Sequence, residues 1–324
     1  MTQKRGNLIS LSDTCYYHCV TRCARGSFLG GVDAYSGQSY EHRRAWVEDR
    51  IFYLCSVFAI DLCAYAVMSN HIHLVLHVDV EKASGWSDMQ VLSLWHTLYK
   101  DTLLTQKFMR DENLSQDELI TLHETIAEYR SRLHDISWLM RNLNEHIARE
   151  ANKEDHRTGM FWERRFKSQA LLDKSAVLAC MAYVDLNPIR AKMAKTDDTS
   201  NHTSIAKRTH AVKQKKQQPR QLMPFVGVPK KSMPKGIPFT LKDYCKLVDI
   251  TGRIIKDDKA DHIDYQQQPI LQSLGLSEEQ WLTLTTEFEK HFCHAAGTEI
   301  MMNEFKKHTG HKRLRGMGKA KTLL

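Results

Sequence analysis

The alternation of apolar and polar positions is clearest at residues 71–78, HIHLVLHV. On a strand, Ile72, Leu74, Leu76 and Val78 share one apolar face, and His71, His73, Val75 and His77 share the other. Upstream, residues 15–22 are β-branched and aromatic enough for a first strand. Glycine-containing loops follow at 26–31 and 35–40. Residues 41–59 predict a helix, because Trp46, Ile51, Leu54, Cys55 and Phe58 recur at helical spacing. Asp61 to Val67 reads as a second strand, with a turn at 69–70 leading into the histidine strand.

Further along, residues 86–134 predict two inserted helices. Residues 136–152 predict an amphipathic one, with Ile136, Leu139, Leu143 and Ile147 in a stripe. A short strand is expected at 166–172. A helix is expected at 174–186, ending before Asn187–Pro188 because the residue preceding proline disfavours helical geometry. Composition then shifts. Residues 201–238 hold nine Lys/Arg, no Asp or Glu, and five of the seven prolines. That predicts a basic linker at 196–239, mobile when free. Helical patterning returns over 240–305, and a basic tail without acids follows Glu304.

The chain has 324 residues and a formal net charge of +8, with a sequence pI of about 9.0. That balance points to an anionic partner, nucleic acid being the usual one. No apolar run approaches the ~20 residues of a membrane helix, and the opening MTQKRGNLIS has no apolar leader segment. The expectation is a cytoplasmic protein whose eight cysteines are free thiols. Cys15, Cys19 and Cys23 form the one tight group, and a strand would set them on one face with Tyr17 and Thr21. Their spacing fits neither a zinc knuckle nor an iron–sulfur motif.

His71 and His73 project side by side, with backbones roughly 6.5–7 Å apart from the strand rise. Imidazoles at that spacing converge readily on one metal ion, although histidine alone does not select the metal. The plainer alternative is a half-exposed strand that turns polar residues outward.

Several segments together resemble a known family. AYAVMSNHIHLVLHV resembles the histidine–hydrophobe–histidine strand of single-tyrosine transposases of the HUH class, especially the REP-associated tyrosine transposases. GMFWERRFKSQ at 159–169, YVDLNPIRAKMA at 183–194 and the opening YYHCVTRCARGSFL resemble further family segments in the right order. The resemblance covers about residues 10–195, interrupted by a long helical insertion at 80–135. It implies an α+β, ferredoxin-like fold, an antiparallel sheet with helices on one face, over residues 1–195. A small helical region is expected at 240–324. It also implies a divalent metal, Mg²⁺ or Mn²⁺, held by His71, His73 and a polar residue of a later helix. Asn152 and His146 are candidates for that residue, alongside Asn144 and Glu145. The implied activity is cleavage and transfer of hairpin-bearing single-stranded DNA through a phosphotyrosine link, by a monomer or a homodimer.

The pattern departs from the family at the nucleophile. The resemblance places a tyrosine on the 136–152 helix, and none is there. Tyr129 in IAEYRSRLH is one substitute, while Tyr183 matches a family position read as structural. A metal-bound water, or a non-catalytic DNA-binding regulator on the same fold, are the alternatives. For nucleic-acid contact, Trp162, Arg164, Arg165, Lys167 and Arg190 combine cations for phosphates with rings for bases.

Overall fold

Three antiparallel strands carry the histidine pattern. They are β1 (Tyr16–Arg22), β2 (Ile60–Val67) and β3 (His71–Val78), with α1 (His42–Val57) joining the first two. This computed structural model describes residues 8–24, 27–33, 35–194, 200–227, 235–257 and 268–324. The expected boundary at 195–196 lies outside them. After β3 come α2 (Val80–Gly85), α3 (Asp88–His96), α4 (Leu103–Met109), α5 (Gln116–Arg132) and α6 (Ile136–Glu154). Then follow β4 (Lys167–Leu171), α7 (Lys174–Asp185), α8 (Asn187–Arg190) and α9 (Ser204–Lys213). The remainder comprises α10 (Leu241–Asp257), α11 (Gln268–Ser273), α12 (Glu278–His291), β5 (Ala295–Ala296), α13 (Glu299–His308) and α14 (Met317–Leu323).

The strands form one open sheet in the order β2-β3-β1-β4-β5. The first three junctions are antiparallel and β4–β5 is parallel, so the sheet is mixed rather than antiparallel throughout. The fold is therefore mixed α/β.

Helices cover both faces, not one. On the apolar face of β3, Phe52 of α1 packs edge-on against Tyr65, the register partner of Leu74. Asn144 of α6 reaches Thr21, the partner of Ile72, on that same face. On the histidine face, Tyr183 of α7 lies against His18 and His73. Consequently His73 and Val75 are as buried as Leu74. The expectation of one solvated face fails because the chain beyond residue 170 supplies a second layer of helices.

One local reading also changes. Residues 86–134 hold three helices, α3 to α5, rather than two; Ser87, Thr102 and Ser115 each form a capping box that starts a new one. Helix α7 ends at Asp185, before Asn187–Pro188 as expected, and Pro188 opens a separate short helix. The proline sits in the first turn of α8, where its missing N–H costs nothing.

The stretch expected as a mobile linker is docked over much of its described length. Thr203 caps α9, Ile205 is fully buried, and Arg208, also buried, donates to the carbonyls of Cys63 and Met223. Ser204 and Tyr244 both donate to the buried carboxylate of Asp185, tying α9 and α10 to α7.

Candidate active site at the His71 and His73 pair

Antiparallel pairing sets which side chains surround the histidines. Arg22 lies opposite His71, Val20 opposite His73, and Lys167 opposite Val20 on the other side. His18, two residues before Val20, shares the face. Arg22 and Lys167 are exposed, whereas His18 and His73 are buried.

Hydrogen bonds link the imidazoles into a chain. Gln169 presents its Oε1 to His18 Nδ1 at 3.2 Å, and His18 Nε2 lies 2.9 Å from His73 Nδ1. With the Gln169 amide oxygen as the acceptor in this orientation, His18 Nδ1 carries the hydrogen. Burial pushes the His18 and His73 pKa values down, with His18 adding to the effect on His73, so both rings are neutral. His18 Nε2 is then a lone pair, His73 Nδ1–H donates to it, and His73 Nε2 is left as a lone pair. His71 repeats the logic one step away. Its Nδ1 donates to Asn70 Oδ1 at 2.6 Å, and burial, reinforced by Arg22, holds its pKa at about 4. The two rings lie 4.8 Å apart by centroid. Each Nδ1 is thus committed to an outer partner and each Nε2 left available, the arrangement that orients imidazole ligands in metal sites.

Helix α7 contributes the tyrosine. The Tyr183 ring lies 6.0 Å from that of His73 and 6.2 Å from that of His18. Its hydroxyl donates to Glu289 Oε2 of α12 at 3.1 Å. Burial pushes its pKa up, against a lowering influence from Arg190. The Arg190 guanidinium stacks 3.9 Å over the Tyr183 ring and donates to the carbonyls of Tyr183 and Thr285. Asn187 and Arg190 follow Tyr183 by four and seven residues along a nearly continuous helical path, so all three share one stripe. Phe288 of α12 packs beside the group, 6.5 Å from His18 and 5.9 Å from Tyr183.

The other residues named from sequence lie elsewhere. Tyr129 is stacked on Trp95 at 4.5 Å within the inserted helices. His146 lines a groove with Trp46, Arg50 and Glu150 on the outer side of α1 and α6. Asn152 donates to the carbonyl of Gly159 near the end of α6. Because α6 packs on the apolar face of the sheet, neither residue reaches His71 or His73. Trp162 is half-buried and donates its indole N–H to the carbonyl of Asn144. Arg164, Arg165 and Lys167 are exposed, as phosphate contacts require. Sequence reasoning passed over His18, Gln169, Asn187 and Glu289. The i, i+4, i+7 spacing of Tyr183, Asn187 and Arg190 was the available signal. Glu289 had none, lying 106 residues from its partner.

Two neutral imidazoles form a nitrogen donor set that suits Mn²⁺ better than Mg²⁺, which prefers oxygen. Among the described residues no group of three or more His, Cys, Asp or Glu is disposed to hold a metal. A third protein donor would have to be of another type, such as the Asn187 amide oxygen. No family model, curated protein or solved structure matches the chain.

Proposed function

We propose that this chain cleaves and rejoins single-stranded DNA beside a hairpin, with Tyr183 as nucleophile. The observation that carries the reading is the packing of Tyr183 against the His73–His18 pair, with Asn187 and Arg190 on the same helical stripe. Exposed Arg22, Arg164, Arg165 and Lys167 at that end of the sheet suit a phosphate backbone. A ferredoxin-like core is supported by the antiparallel order β2-β3-β1-β4 with α1 and α6 on one face; β5 and the second helical layer are additions to it.

In the reaction, Tyr183 Oη attacks phosphorus and its proton passes to the Glu289 carboxylate. The bond to the 3′ oxygen breaks, that oxygen takes a proton from water, and the 5′ phosphate stays on tyrosine. Arg190 and Arg22 offset the charge gathering on the phosphate. A divalent ion held by His71 and His73 Nε2 would supply further neutralisation of that charge.

The test is covalent capture. Labelled hairpin single-stranded DNA is incubated with protein and Mn²⁺, denatured and resolved on a gel. The wild type and Tyr129→Phe are expected to form an adduct, and Tyr183→Phe and His71→Ala are not. An adduct that persists in Tyr183→Phe sinks the assignment. One observation favours a second reading, a non-catalytic DNA-binding regulator: Tyr183 is only 9% exposed, with its hydroxyl on Glu289 and Phe288 beside it. Tight, salt-sensitive binding with no adduct on any hairpin tried would select that reading.

A further inference from the structure

At the opposite end of β3 lies a cavity of about 350 Å³. It shares the sheet face with the site but begins at His77, roughly 13 Å along the strand from His73. Leu171, Val177, Leu178 and Ile237 form apolar walls contributed by β4, α7 and the segment before α10. That segment is held down by Lys235, which pairs with Asp61 and Asp79. The volume is in the range of sites that enclose a small organic molecule.

The polar groups at this cavity are not balanced. Asp173, the carboxylate in its lining, accepts one backbone hydrogen bond at each oxygen: Oδ1 from Ala176 N at 2.8 Å and Oδ2 from Thr298 N at 2.7 Å. His77 is committed through Nδ1 to Asp61 at 3.1 Å. Lys174 lines the cavity with no carboxylate in ion-pair range among the described residues; its ammonium lies over the Phe239 ring. Tyr16 also lines it, and its hydroxyl has no hydrogen-bond partner among the described residues. An unpaired cation and an unpaired O–H donor beside apolar walls are complementary to an anionic head on an apolar body.

We infer that this cavity binds a small monocarboxylate with an apolar tail, its head at Lys174 and Tyr16 and its tail against Leu178 and Ile237. The site is independent of DNA chemistry, so its test uses no DNA.

Cys15 lines the same cavity and serves as the reporter, while Cys293 is exposed and serves as the internal control. Alkylation of both thiols is followed by peptide mass spectrometry with octanoate, or with octanamide, in the full-length protein. Octanoate is expected to slow Cys15 alkylation and leave Cys293 unchanged. Octanamide, lacking the charge, is expected to need about fivefold higher concentration for the same protection. Lys174→Gln should reduce octanoate to the level of octanamide, and Leu178→Trp, which fills the cavity, should remove protection by both. Lys174 is half-exposed, so its variant keeps the test valid if Leu178→Trp does not fold. Cys15 reactivity unchanged by millimolar octanoate, or slowed equally in wild type and Lys174→Gln, would overturn the inference.

Discussion

Glu289 shows how much a single side chain decides here. It is the carboxylate that takes the Tyr183 hydroxyl hydrogen bond, so under the proposed reaction it is placed to accept the proton that Tyr183 must lose. Glu289→Gln keeps the shape and removes the base. Adduct formation is expected to fall about a hundredfold with hairpin binding unchanged, measured by capture rate against a binding isotherm. A second residue-scale effect concerns acid stability. Burial alone would raise the Asp61 pKa, but hydrogen bonds from His77 and Lys235 overcome it and hold the group at about 2, against an ordinary 3.8. A depressed carboxylate stabilises the fold above its ordinary value, and that contribution is lost as pH falls through 3.8 toward the folded value. Urea midpoints of the wild type should therefore drop between about pH 4 and pH 2. Asp61→Asn should be less stable at pH 7 and show a shallower drop over that interval.

At the scale of elements, α9 shows composition giving the wrong impression. Its segment is basic, proline-rich and free of acids, which on average describes a solvated linker. Averages hide Ile205 and Arg208, which face inward. Arg208 donates to two buried carbonyls, and its charge offsets the buried carboxylate of Asp185. Arg208→Met leaves those acceptors and that carboxylate uncompensated. The expected cost is about 3 kcal/mol, read from denaturant midpoints at constant m-value. If the segment were mobile, the substitution would leave the midpoint where it is. The helix and strand periods of α1, β2, β3, α6 and β4 were legible because each repeats over many residues. The positions of Asn152 and His146 were not, because periodicity gives a helix its faces but not the side of the sheet on which it packs.

For the whole molecule, the formal charge of +8 acts through where it is placed. Arg22, Arg164, Arg165 and Lys167 cluster at the His71 end of the sheet, so on the proposed reading that end should dominate nucleic-acid affinity. Binding of a single-stranded hairpin should weaken linearly in log–log form with salt. Lys167→Ala should lower the slope by about 0.7, the value for one phosphate contact on a single strand. An unchanged slope would remove Lys167 from the interface. The C-terminal region is integral to this architecture: β5 extends the sheet beside β4, and Phe288 and Glu289 of α12 complete the surroundings of Tyr183.

The sequence by itself determined the strand that carries His71 and His73, the face they occupy, the helices flanking them and the basic character of the surface. Those properties follow from a period of two or of 3.6 residues and from counting charges, both of which are local. Tertiary structure alone decided which tyrosine meets the histidines. It left Tyr129 buried against Trp95 and placed Tyr183 on the histidine face through α7. It also buried that face under α7 and α12 and turned a basic stretch into a docked helix. Each of these depends on contacts between residues far apart in the chain, such as the 106 positions separating Tyr183 from Glu289, and no local pattern encodes the partner of such a contact.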